Sequence, residues 1–168
     1  MNQIDPNNFW EQLERLEKLI RASELKAGVI FSFHSLILGL FADRIEQFSA
    51  LFVNNPVLMV LIILWIAAVL ISIFYCFKCF GPRIEGRYNK NVFFFRDAVK
   101  DFGSIDEYTK KLIDTIGDEE ALHKQLGEQI HVESKIIDQK FKSVHYSIKF
   151  FGASFLILVI MLIVSILT

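Results

Sequence analysis

Apolar and charged residues alternate along this chain in long blocks. One block, residues 57–77 (VLMVLIILWIAAVLISIFYCF), runs twenty-one residues without a charge, a proline or a glycine. As a helix rising 1.5 Å per residue it extends roughly 30 Å, the hydrocarbon thickness of a bilayer. A second block, residues 148–168 (IKFFGASFLILVIMLIVSILT), is nearly as apolar. A third, residues 27–42 (AGVIFSFHSLILGLFA), has sixteen residues and no full charge. It is short for a span, but Leu25 extends it and Lys26 can snorkel. The pattern predicts three membrane helices.

The stretches between them carry helical periodicity. Asp5 suits an N-cap and Pro6 a first helical position. Phe9, Leu13, Leu16 and Ile20 then form one apolar stripe, with Glu11–Arg15 and Glu14–Lys18 at i, i+4. No breaker separates this stripe from residues 27–42, so one helix is expected from about Pro6 to Ala42. Residues 43–56 form a short connector, and Gly81-Pro82 stops the second span. The aromatic run from Val92 to Phe95 reads as a strand or the start of a helix. Ser104 and Glu107 spell a capping box, followed by Tyr108, Leu112 and Ile116, with Gly117 as the stop. Asp118 caps the last helix. There Leu122, Leu126, Ile130, Ile137, Phe141, Val144 and Ile148 come close to a heptad seam that runs unbroken into the third span. Such a helix of about fifty residues would be roughly 75 Å long.

The predicted fold is thus an all-α membrane protein with a long first and last helix, each continuous from cytosol into membrane. The segments are 1–26 (cytoplasmic amphipathic helix), 27–42 (first span), 43–56 (external loop), 57–77 (second span), 78–147 (cytoplasmic helical module) and 148–168 (third span). The basic residues orient it. Arg44 is alone between the first two spans, whereas Arg15, Lys18, Arg21 and Lys26 precede them, and Lys78, Arg83, Arg87 and Lys90 follow. By the positive-inside rule the N-terminus is cytoplasmic and the C-terminus lies outside.

Composition adds little to this picture. Of 168 residues 53% are hydrophobic and 17 are Phe, but the net charge of -1 gives no electrostatic footprint for nucleic acid. Two cysteines make no disulfide framework. No secretory signal is visible, so the spans are expected to remain in the mature protein.

Candidate chemistry is sparse. Cys76 and Cys79 form CxxC without a strand–helix context or a second metal-binding pair. His123, His131 and His145 lack a shared ligand spacing. No catalytic triad, phosphate loop or dinucleotide fingerprint occurs, so neither an enzyme nor a metal site is expected. His34 lies within the first span, where an ionisable group is a functional candidate, here for lining a pore or sensing protons, or else a neutral His bonded to a neighbouring helix. Arg21, Glu24 and Lys26 flank the membrane edge, and Arg83, Phe93 and Arg96 belong to the same cytoplasmic side. Aromatics beside arginines suit a stacked, phosphorylated base. The same residues also suit a core and interfacial anchors.

The ordered segments RASELKAG (21–28), GPRI (81–84), FFFRD (93–97) and EQIHVESKIIDQKFKSVHYSIKFF (128–151) make the chain resemble the transmembrane effector family of bacterial anti-phage Pycsar systems. It is similar more broadly to SLATT-type multi-span effectors. The resemblance implies an inner-membrane effector that senses cyclic CMP or cyclic UMP made by a cognate cyclase, impairs the membrane and causes abortive infection. A homo-oligomer is implied as well, because three spans cannot enclose a wide pore. The partners are then the nucleotide and the lipid bilayer, with no cofactor and no nucleic acid. The alternative is a constitutive membrane scaffold or coiled-coil adaptor with no small-molecule ligand.

Overall fold

A computed structural model describes residues 5–46, 55–81 and 90–167. Five helices occur in the order α1 (Asn7–Asp43), α2 (Pro56–Phe80), α3 (Phe95–Lys100), α4 (Ile105–Gly117) and α5 (Glu119–Leu167). Among the described residues there is no strand. The all-α class and the long first and last helices are as the periodicity predicts. Three helices, α1, α2 and α5, are long and apolar enough to cross a membrane. The aromatic run resolves as a turn at residues 92–93 leading into α3, not as a strand.

Local signals set the helix ends. The Asn7 amide donates to Asp5 Oδ1. Asn55 Oδ1 accepts from Val57 and Leu58, and Pro56 supplies a first position that needs no amide partner. Gly81 follows α2 as its C-cap. Asp118 Oδ1 receives the amides of Glu120 and Ala121 at the start of α5. Ser104 and Glu107 close the capping box in both directions. The turn before it needs Gly103, whose φ of 72° is left-handed and whose Cβ position would collide with the Glu107 carboxylate.

The chain divides into two compact units. The first comprises Met1–Arg21 and Arg83–Asp138, the second Ala22–Pro82 and Gln139–Thr168. All three apolar blocks of the sequence fall in the second unit.

The first unit buries Leu13 and Leu16 of α1, Val92, and Leu126, Val132 and Ile137 of α5. Its anchor is Asn91, which is fully buried. Asn91 Nδ2 donates to the Gln125 carbonyl at 2.7 Å, and its Oδ1 accepts from the Phe93 amide at 2.9 Å. The Asn91 amide donates to Asp97 Oδ2, the Val92 amide to Gln125 Oε1, and the Tyr108 hydroxyl to the Val92 carbonyl. A short non-helical stretch is thereby satisfied without a ladder.

In the second unit α1 and α5 run parallel and α2 antiparallel to both, as the core contacts show. Ala27, Ile30, Cys76, Cys79 and Val144 form one layer. Trp65, Val69 and Met161 form another, with Leu38, Phe41 and Leu158 packed around them. The inward face of α2 repeats at Leu58, Trp65, Val69, Ser72, Cys76 and Cys79, the three- and four-residue alternation of knobs-into-holes packing. Its outward face exposes Val60, Ile63, Leu70, Phe74 and Phe77. A surface of that kind has its proper solvent in lipid.

The seam of α5 departs from the sequence reading. Leu126, Ile137 and Val144 point inward as expected, but Phe141 is 39% and Ile148 49% exposed. Lys140, Ser143, Ser147 and Ser154 are buried in their place. The heptad in use is Leu126, Glu133, Lys140, Ser147, Ser154, Met161. Hydrophobicity alone hides it, since four of its six members are polar.

Candidate functional site

Membrane interiors and water set different terms for a polar side chain. In the second unit Lys140 is 3% exposed, yet its ammonium has two partners. It donates to Glu24 Oε1 at 2.7 Å and to the Cys79 carbonyl at 2.7 Å. Three helices therefore meet at one cation: α1 through a carboxylate, α5 through the lysine, and α2 through a carbonyl of its last turn. That carbonyl lies at the negative end of a helix, where a cation is favoured. Nearby, the Cys79 thiol faces the Ser23 carbonyl at 3.8 Å.

Further along the same helices, Ser72 Oγ donates to the Ser147 carbonyl at 2.9 Å and lies 3.3 Å from Ser147 Oγ. The Cys76 sulfur is 3.0 Å from Ser147 Oγ. Both thiols are free and fully buried. No group of three His, Cys, Asp or Glu capable of holding a metal occurs among the described residues. His34 is 1% exposed and packs edge-on against Phe151, with ring centroids 5.1 Å apart. Its Nε2 has no hydrogen-bond partner among the described residues.

In the first unit, Phe93 is half-buried and meets Trp10 edge-to-face at 5.4 Å. Phe9 stacks on His123 at 5.2 Å with an interplanar angle of 11°. Arg96 is exposed at the first turn of α3. Arg21 is exposed and paired with Glu17 one turn earlier. Burial pushes the Glu133 carboxyl up, against a hydrogen bond from Gln129 that pulls it down. The Ser104 amide and hydroxyl hold the Glu107 carboxyl below its ordinary range.

The six ligand candidates are thus divided. Arg21, Phe93 and Arg96 belong to the first unit, Glu24 and Lys26 to the second, and Arg83 lies outside the described residues. Glu24 already has a partner in Lys140, and Lys26 is exposed. The reading of the residues missed Lys140, Ser147 and Asn91. The signal for the first two was the polar heptad of α5, since a lysine seven residues before a serine, with a second serine seven further on, marks one face of the helix.

Comparison with known proteins fits this architecture. Residues 8–167 match the PycTM family, described as the Pycsar effector protein domain. The Pycsar effector protein PtPycTM of Propioniciclava tarda is 29% identical over 138 residues, covering 79% of this chain and 66% of the relative. The chain thus spans just under two thirds of that relative's length. No solved structure matches. With nearly its whole length matched and three helices fit to cross a membrane, the chain belongs to the PycTM family of Pycsar effector proteins.

Proposed function

We propose that this protein is an anti-phage defence effector that senses a cyclic pyrimidine nucleotide on the cytoplasmic side and impairs the inner membrane. It acts without catalysis, as a multi-pass protein with its N-terminus in the cytoplasm and its C-terminus in the periplasm. Family membership supports the defence role. The observation that carries the mechanism is that α1 and α5 each supply residues to both units without a break. A ligand that prefers one packing of the first unit then biases the helices that also build the second. To switch the protein from mostly off to mostly on, the two packings must differ in ligand affinity by about 5 kcal/mol.

The first unit offers the chemistry for a phosphorylated base. The ring faces of Trp10 and Phe93 are assigned to stacking, and the guanidinium groups of Arg96 and Arg21 to the phosphate. Glu24 is reassigned to the Lys140 contact. Assembly is part of the reading. The first unit leaves Phe95, Val99, Ile105 and Ile113 largely exposed, apolar surface that an oligomer can bury.

Calorimetry on the purified full chain tests the sensing step. Cyclic CMP or cyclic UMP should bind and cyclic AMP should not, and Arg96→Ala should weaken binding at least tenfold. Absence of binding by every cyclic nucleotide would favour a constitutive scaffold.

A further inference from the structure

The core of the second unit is polar towards one end and apolar towards the other. On α5 the buried side chains Lys140, Ser143, Ser147 and Ser154 follow at steps of three, four and seven residues on one face. At 1.5 Å per residue they span roughly 21 Å. Among the described residues of this unit, buried polar side chains stop at the level of His34 and Ser154. Beyond them lies the layer of Trp65, Val69 and Met161, with Phe41 against the Trp65 ring at 4.5 Å.

Hydrogen bonding between and within the helices accounts for most of the polar residues. Ser72, Cys76 and Ser147 satisfy one another, and Ser143 and Ser154 bond to carbonyls of their own helix. It does not account for His34. An apolar side chain would fill the same space beside Phe151 without stranding a nitrogen. Ionisable groups inside a membrane are costly and mark proton or ion pathways.

We propose that the second unit contains a latent proton path. It begins at the Lys140–Glu24 pair, follows Ser143, Ser147 and Ser72, and ends at His34, where the Trp65–Val69–Met161 layer shuts it. The other titratable side chains buried in this core, Cys76 and Cys79, line its first half. Nε2 of a neutral imidazole accepts a proton while the other ring nitrogen releases one, so relay leaves His34 neutral in its other tautomer, and a flip of the ring resets it for the next proton. An apolar constriction blocks such a path by excluding water. A small loosening of the layer admits a water file and opens it to protons, but not to solutes the size of a dye. This proposal deepens the effector reading above and rests on it for its physiological trigger.

The test uses full-length protein in liposomes loaded either with a pH-sensitive dye or with a self-quenching dye. Val69→Ser opens the apolar layer without any nucleotide. It should raise proton flux at least tenfold over the unaltered chain, with no dye release. Adding His34→Phe to Val69→Ser should return the flux to baseline, and His34→Phe alone should reconstitute in the same oligomeric form as the unaltered chain. Flux from the double variant equal to that of Val69→Ser overturns the proposal, as does dye release in proportion to proton flux. Because the Val69→Ser comparison needs no ligand, failure of the unaltered chain to respond to cyclic CMP or cyclic UMP counts against the nucleotide trigger and not against the path.

Discussion

At the residue scale, a buried lysine and a half-buried glutamate make opposite predictions. Lys140 is 3% exposed and its partner Glu24 is 40% exposed. Glu24→Gln strands a buried cation, whereas Lys140→Met leaves a carboxylate that water reaches. Glu24→Gln should therefore cost about 2–4 kcal/mol and Lys140→Met clearly less, measured by denaturant unfolding in detergent micelles. For Glu133 the sign follows from burial, which raises its carboxyl in the folded state. A raised carboxyl contributes stability that is full below the unfolded value and is lost as pH rises through the folded one. Glu133→Gln keeps the acceptor for Gln129 and cannot ionise. It should be more stable than the native chain at pH 7, and the gain should vanish near pH 4, read by thermal melts across that range. The sequence announced neither residue's role. Charge at a heptad core position reads as solvated until the neighbouring helices show where it points. Arg21 and Glu24, only three residues apart, proved to serve different units.

At the scale of elements, caps and periodicity are legible in the sequence. Asp5, Asn55, the Ser104–Glu107 box and Asp118 all act locally, within a few residues of the groups they satisfy. What stayed hidden was tertiary. The stretch around Asn91 looks like an unremarkable loop, yet its hydrogen bonds reach Gln125, thirty-four residues on. Gly103→Ala forces a side chain into a left-handed conformation and against the Glu107 carboxylate. It should cost about 1–3 kcal/mol and lower the amide exchange protection of α4. The capping box has its own pH signature, since the Glu107 carboxyl is lowered in the folded state. Its contribution is full above the unfolded value and disappears as pH falls through the folded one. The exchange protection of α4 should therefore drop on acidification in the native chain but not in Glu107→Gln.

At the scale of the whole molecule, the membrane class, the number of spans and the long outer helices were readable from hydropathy, because lipid demands an uninterrupted apolar length. The polar interior of the second unit was not, because alternating serines within a span are indistinguishable in sequence from lipid-tolerated ones. The α2 helix illustrates this. Read alone it is a featureless anchor, but Ser72 and Cys76 turn inward to α5 and the Cys79 carbonyl holds Lys140. The three spans are thus coupled at defined points, and a change in packing has specific bonds to break. The central claim is that a cyclic pyrimidine nucleotide makes this protein breach a membrane. Its most direct test is the membrane potential of proteoliposomes, followed with a voltage-sensitive dye. The account predicts that cyclic CMP or cyclic UMP collapses the potential in vesicles containing the protein, while cyclic AMP and protein-free vesicles show no change. A potential that persists in the presence of both pyrimidine nucleotides would contradict it.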